Sequence, residues 1–280
     1  MNDLTDEAFD RILDEHRLSH RRHLLEVDLA LTHIVRYNCA VTPADKPVPR
    51  WALTGGFAIR HCYASDRLSR DSDLAYTEEL ALDKTADSLS VACPTGFSKI
   101  VPPVPSRNDG DPWSQKVEYH YERPWGRGTV QLDLNRKRRL RGPAVRMVFT
   151  SLFIESFEVW TAPTSTLLAD KLAGLIRFAS TDSPRVRDIP DLNCVFRRGV
   201  ASEVAAEVER LLRSDQEVKH MLLGARKEPL PIADVVAAAL RQPAMQRTWD
   251  VQLPQLMDRP PRCREASAEL LQHIITHFGR

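Results

Sequence analysis

Apolar side chains recur at helical spacing from about Glu7 to Asn38, and the positions between them are densely charged. This pattern predicts one long N-terminal helix. Three prolines within residues 42–49 rule out a helix or an interior strand there, so this segment is predicted to be a loop. Beyond it, short apolar and alternating runs are typical of strands. The predicted elements are strands at 51–54, 71–76, 117–121, 130–134 and 157–160, helices at 57–63 and 81–92, and a loop at 102–112.

The pattern changes after Pro163, where helical spacing replaces alternation. Prolines and a glycine separate the apolar stripes into predicted helices at 164–178, 201–213, 232–240 and 265–278. We therefore predict an α+β fold with two lobes. Residues 1–160 would form a lobe with the long N-terminal helix and a mixed sheet, and residues 161–280 would form a helical lobe.

Composition adds three limits. The 280 residues are 42% hydrophobic, enough for a real core, and the 39 basic and 38 acidic side chains nearly cancel. Contact with nucleic acid would therefore need a local cluster of charge. The N-terminal segment is acidic and no apolar run approaches the roughly 20 residues that span a bilayer, so no membrane contact and a cytoplasmic location are expected. The five cysteines have no ligand-pair spacing, which favours free thiols.

Two short patterns carry candidate chemistry. Gly55 and Gly56 end a predicted strand and precede a helix, an arrangement that lets backbone amides approach a phosphate. Asp71 and Asp73 are two residues apart on a strand, so their carboxylates share one face, as ligands of magnesium ions do. Taken alone, the glycine pair is more typical of an ordinary turn, and the two aspartates are more typical of an exposed strand edge. Together they favour a nucleotide site.

A third carboxylate lies farther along the chain. Asp133 is flanked by apolar residues on a predicted strand, which suits a metal ligand or a base that deprotonates an attacking hydroxyl. A structural or edge-strand aspartate is the alternative. The basic run from Arg136 to Arg141 directly follows Asp133. This run is either an RNA-binding surface or a solvated loop.

A resemblance to a known family becomes specific at four segments. Residues 53–60 (LTGGFAIR) and 67–74 (RLSRDSDL) resemble the glycine-pair and RxSxDxD signature of AbiEii/AbiGii-type (MenT-like) toxins, which belong to the polymerase-beta-like nucleotidyltransferase superfamily. Residues 166–177 (TLLADKLAGLIR) and 185–192 (RVRDIPDL) are similar to the later lysine and RD-x-x-DL motifs of that family. The order and spacing match from Trp51 to Leu192.

The resemblance implies a magnesium-dependent enzyme, with Mn²⁺ as an alternative ion, that transfers a nucleoside monophosphate from a nucleoside triphosphate. It implies that Lys171 is a cation on the nucleotide and that Asp188 is the essential acid of the last motif. Asp188 would either meet substrate or hold Lys171 or Arg187 in an ion pair. It further implies metal ligation by Asp71 and Asp73, and a triphosphate cradle of Gly55, Gly56, Arg67 and Ser69.

For partners, the resemblance implies a tRNA acceptor, modified at its 3′ end, and an antitoxin encoded nearby in a type IV-like toxin–antitoxin system. Modification of tRNA would block translation and growth. Two alternatives remain open at this point. One is a small-molecule, antibiotic-modifying nucleotidyltransferase, and the other is a nucleotide-binding or RNA-binding module that has lost catalysis.

Overall fold

The computed structural model describes residues 4–39, 51–76, 93–100, 104–105, 114–179, 181–224 and 227–279, without the side chains of 76, 104–105, 114–115 and 134–139. The predicted loop at 42–49, the predicted helix at 81–92 and nearly all of the predicted loop at 102–112 lie outside these residues. The chain divides into two compact units. The first comprises Met1–Cys62 and Leu68–Ala162, and the second comprises Tyr63–Arg67 and Pro163–Arg280.

The N-terminal segment is not the single helix that its sequence predicts. It forms α1 (Asp6–Glu15), a 3₁₀ turn (Ser19–Arg21) and α2 (Arg22–Cys39). Arg17 has a φ of 58°, in the left-handed region that ends a right-handed helix. The prediction was wrong because residues 14–23 hold a single large apolar side chain, Leu18, too little to bury a helical face.

The first unit contains a mixed sheet, which confirms the predicted fold class. Its elements are β1 (Trp51–Thr54), α3 (Gly55–Tyr63), β2 (Ser72–Tyr76), β3 (Phe97–Lys99), β4 (Val104–Pro105), β5 (Ser114–Arg123), β6 (Gly126–Arg139), β7 (Val145–Phe149) and β8 (Phe157–Thr161). Helix α3 lies between β1 and β2 in the chain. The described strands follow the order β3-β5-β6-β2-β1-β8-β7, and β4 pairs with β5 beside this path.

Strand register brings four sequence-distant positions side by side. Thr54, the last residue of β1, pairs with Asp73 on the antiparallel strand β2. Asp73 in turn pairs with Asp133 on the parallel strand β6. Lys116 on β5 pairs with Asp133 from the other side. The glycine pair and two of the predicted carboxylates therefore lie at one place in the sheet.

A buried ionic group joins α2 to α3. The carboxylate of Asp28, 1% exposed, accepts a hydrogen bond from Arg60 Nε at 2.7 Å and lies 3.3 Å from His61 Nε2. Although burial raises the pKa of Asp28, the charges of Arg60 and His61 outweigh it and lower that pKa to about 2. The His61 ring stacks on Phe149 with centroids 4.1 Å apart. This ionic group holds α3, and with it the turn at Gly55, against α2.

The second unit is helical in its described residues. It contains α4 (Thr164–Phe178), α5 (Asp188–Arg197), α6 (Ser202–Ser214), α7 (Ile232–Leu240), α8 (Pro243–Leu256) and α9 (Cys263–Phe278). Four of these match the predicted helices, whereas the sequence pattern gave no helix for α5 or α8. Pro190 and Pro243 lie in the first turns of these two helices, where the missing N–H costs nothing. No helix in the described ranges is long and apolar enough to cross a membrane.

Candidate functional site

Gly55 lies directly against Asp73. Its φ is 71°, and a Cβ atom added there would lie 2.0 Å from the Oδ2 atom of Asp73. Both the backbone conformation and the space therefore require glycine at this position. Because Gly55 is also the first residue of α3, the start of that helix and the Asp73 carboxylate are neighbours. The structure thus brings the predicted glycine turn and one predicted carboxylate together.

Side chains alternate around β2 as the sequence pattern predicts. Ser72 is fully buried, whereas Asp71 and Asp73 are partly exposed, so the two carboxylates share the face opposite Ser72. The hydroxyl of the buried Ser69 donates to Asp71 Oδ1 at 3.3 Å. This contact fixes one carboxylate oxygen of Asp71.

Asp133 is electrostatically coupled to its neighbours. Burial raises the pKa of its carboxyl, Lys116 opposes that shift, and the negative charge of Asp71 adds to it. The Oδ1 atom of Asp133 is buried, accepts no hydrogen bond from the residues that the structure describes, and lies 3.8 Å from Lys116 Nζ. A buried carboxylate oxygen without a hydrogen bond is costly unless another positive group or a proton joins it.

The donor set agrees with a hard divalent cation. Carboxylate oxygens are the ligands that Mg²⁺ takes, and the orphaned oxygen of Asp133 beside the charge of Asp71 would gain from a cation. Within the described ranges, however, no group of three or more His, Cys, Asp or Glu side chains is arranged to hold a metal ion. The carboxylates fit the ion by chemistry, and their joint ligation of it stays a prediction.

The second unit contains a buried cluster of charges that includes three predicted residues. Lys171 Nζ lies 2.7 Å from Asp188 Oδ1 and 2.8 Å from Asp191 Oδ2. Both carboxylates are fully buried, and Lys171 is 7% exposed. Of the two ion-pair partners that the sequence allows for Asp188, the structure shows Lys171. A second contact comes from Arg185, whose Nε lies 3.0 Å from Asp188 Oδ2.

Arg67 belongs to this cluster. Its Nε and Nη2 atoms donate to the two carboxylate oxygens of Asp191 at 2.9 and 2.8 Å. Although burial raises the pKa of Asp191, the charges of Arg67 and Lys171 outweigh it and lower that pKa below its ordinary range. The predicted phosphate contact of Arg67 stays a prediction, since the structure assigns its guanidinium to a carboxylate.

Sequence reasoning missed three residues at these places: Lys116, Arg185 and Asp191. Asp191 had a usable signal, because it lies three residues after Asp188 and so on the same face of a helix. Lys116 had none, because its position depends on the register of β5 against β6. Arg185 is separated from Asp188 by the turn that starts α5, and nothing in the sequence distinguishes it from Arg187.

The basic run after Asp133 continues the same strand. Strand β6 extends to Arg139, so residues 136–139 lie in the sheet rather than in a loop. The side chains of 134–139 are outside the described set, and the predicted RNA contact of this run stays a prediction.

Comparison with known proteins decides the family. Residues 41–273 match the family model of the nucleotidyl transferase AbiEii toxin of type IV toxin–antitoxin systems. The chain belongs to the AbiEii toxin family. It is thus a toxin of a nucleotidyltransferase family. Membership of this family implies a nucleoside triphosphate substrate and an antitoxin partner. No curated relative matches the chain in sequence.

Solved structures share the AbiEii chain's fold at low sequence identity. MenT4, a nucleotidyltransferase toxin from Mycobacterium tuberculosis, is 19% identical, with a TM-score of 0.59 over 89% of this chain and 81% of that one. A putative nucleotidyltransferase from Helicobacter pylori is 15% identical, with a TM-score of 0.52 over 91% and 94%. JHP933 from Helicobacter pylori is also 15% identical, with a TM-score of 0.51 over 91% of each chain.

Proposed function

We propose that this AbiEii toxin transfers a nucleoside monophosphate from a nucleoside triphosphate to a tRNA 3′ end and so blocks translation. The observation that carries the proposal is the close packing of Gly55 on Asp73, with Asp133 in register on the neighbouring strand. The start of α3, where backbone N–H groups can meet a phosphate, thus lies beside a carboxylate of the kind that holds Mg²⁺. A cytoplasmic location agrees with these substrates.

In this proposal the acceptor hydroxyl attacks the α-phosphorus, and the bond from that phosphorus to the bridging oxygen breaks, releasing pyrophosphate. Asp133 takes the proton of the hydroxyl, a role that its buried and partly orphaned carboxylate suits. Lys116, 3.8 Å away, then offsets part of the negative charge around it. Gly55, Gly56 and Ser69 line the triphosphate.

We assign the divalent ion, Mg²⁺ or Mn²⁺, to Asp71 and Asp73, with Asp133 as a third ligand. When bound, such an ion supplies a Lewis acid for the phosphate oxygens. The carboxylates of Asp71 and Asp73 would hold it, and the hydrogen bond from Ser69 orients Asp71. Asp133 joins them through the register of β2 and β6.

We also assign Lys171 and Asp188 to the nucleotide. Lys171 has three N–H donors and, among the described residues, two carboxylate partners, so one N–H is left for an anion such as a phosphate of the nucleotide. Asp188 holds this ammonium by a contact of 2.7 Å. Its proposed importance for the reaction therefore comes from holding Lys171.

The test incubates purified protein with each α-labelled nucleoside triphosphate, Mg²⁺ and total tRNA, and measures labelled RNA. We expect label from at least one triphosphate, and its loss in Asp71→Ala and in Asp73→Ala. The exposed Asp182, which has no ion pair in the described part of the chain, provides the matched control Asp182→Ala. Transfer at the control rate by either site variant, with unchanged circular dichroism, contradicts the assignment.

A further inference from the structure

We infer that Asp191 is a positioning residue for the transfer reaction and that Arg67 acts through Asp191 rather than on the triphosphate. This rests on the proposed role of Lys171. We call Arg67 and Asp191 together the clamp. In it, one guanidinium donates two hydrogen bonds to one carboxylate, at 2.9 and 2.8 Å. The same carboxylate reaches Lys171 Nζ at 2.8 Å.

Burial makes this contact decisive for the lysine. Asp191 is fully buried, and the side chains of Arg67 and Lys171 are 4% and 9% exposed. Two carboxylates offset the loss of water around the Lys171 side chain. Asp188 accounts for one of those carboxylates and Asp191 for the other. Without Asp191, Lys171 would lose half of its anionic support.

The clamp also determines where the remaining N–H of Lys171 points. Asp188 and Asp191 lie on one face of α5, and their two contacts hold the ammonium between the two carboxylates. With one of them removed, the ammonium rotates about its flexible side chain and the third N–H has no fixed direction. Asp191 therefore positions the group that we assign to the nucleotide, without touching substrate itself.

The geometry of Arg67 argues against a phosphate contact in this arrangement. Nε and Nη2 form the side of the guanidinium that suits bidentate binding, and Asp191 takes both. A phosphate on that side would have to displace a fully buried carboxylate. The effect of Arg67 on catalysis therefore passes through Asp191 to Lys171.

Double-mutant cycles test the inference. Steady-state KM for the triphosphate and kcat are measured for Asp191→Asn, Arg67→Gln and Lys171→Ala, alone and in pairs, with melting temperatures taken in the same buffer. We expect Asp191→Asn to lower kcat/KM about 10- to 100-fold, as misplacement by about 1 Å does, with KM carrying part of the loss. In the Lys171→Ala background, neither Asp191→Asn nor Arg67→Gln should lower kcat/KM further.

Two outcomes overturn the inference. One is wild-type kcat/KM in Asp191→Asn, whether or not its melting temperature falls. The other is a loss from Arg67→Gln that persists in full without Lys171, which would put Arg67 on substrate. If Asp191→Asn does not fold, the pair Arg67→Gln and Lys171→Ala still decides between coupled and additive losses. Failure of the proposed function would show earlier, as absence of transfer by the wild-type protein.

Discussion

Replacing Gly55 by alanine tests the site through its tightest contact. The substitution adds one methyl group at a residue whose φ is 71° and whose new Cβ would lie 2.0 Å from Asp73 Oδ2. Gly199 provides a matched control. Its φ is 84°, but nothing lies within 4 Å of an added Cβ, so Gly199→Ala has the backbone strain without the collision.

The two contributions have different sizes and different readouts. Left-handed backbone costs alanine about 1–2 kcal/mol, and both variants should lose that much stability. For a chain of this size, 1 kcal/mol lowers the melting temperature by roughly 2–4 °C. Only Gly55→Ala must also move Asp73, because real Cβ atoms essentially never approach closer than 3.0 Å. That shift of about 1 Å predicts a loss of transfer of about 100-fold, equivalent to ~2.7 kcal/mol.

The assay compares the initial rates of label transfer and the melting curves of the wild type and both variants. We expect Gly199→Ala to transfer at the wild-type rate with a lowered melting temperature, and Gly55→Ala to lose transfer in addition. Wild-type transfer by Gly55→Ala would refute the reasoning, because Asp73 could then move without consequence. Equal losses of transfer in both variants would assign the effect to backbone strain alone.

Three further predictions concern other parts of the chain. The pKa of Asp28 is about 2 in the folded chain, against an ordinary 3.8. The ionised carboxylate therefore contributes about 2 kcal/mol to the free energy of unfolding above pH 3.8, and this contribution vanishes as pH falls to 2. Urea unfolding should show the wild type's advantage over Asp28→Asn shrinking over that window, and a constant difference contradicts the ionic account. Lys171→Ala should raise KM for the triphosphate more than Lys171→Arg, which keeps a cation, and equal behaviour in steady-state kinetics would remove Lys171 from the nucleotide. Charge reversal at Arg138 and Arg139 should reduce tRNA modification and flatten its salt dependence, whereas an unchanged salt slope places the RNA surface elsewhere.

Local chemistry made much of the fold and part of the site predictable. The glycine pair ends β1 and accompanies Asp73 because no other residue fits that turn, and such a requirement is visible in the sequence. Alternation around Ser72 likewise placed Asp71 and Asp73 on one face.

What the sequence could not supply depends on long-range register and on burial. Lys116 meets Asp133 only through the pairing of β5 with β6. The bond from Arg67 to Asp191 spans 124 residues, and the phosphate role predicted for Arg67 came from the family resemblance. The break at Arg17 was missed because apolar residues on both sides continued the helical pattern.

Nucleotidyl transfer at Asp71 and Asp73 requires that the α-phosphate, and not the γ-phosphate, reaches the acceptor. Parallel reactions contain the preferred triphosphate labelled at the α- or at the γ-phosphate, with tRNA and Mg²⁺, and both RNA and released phosphates are resolved. We expect α-label on the RNA and γ-label in pyrophosphate, each lost in Asp73→Ala. Label from the γ-phosphate on the acceptor, or α-label on RNA at the wild-type rate in Asp73→Ala, would rule out transfer at these carboxylates.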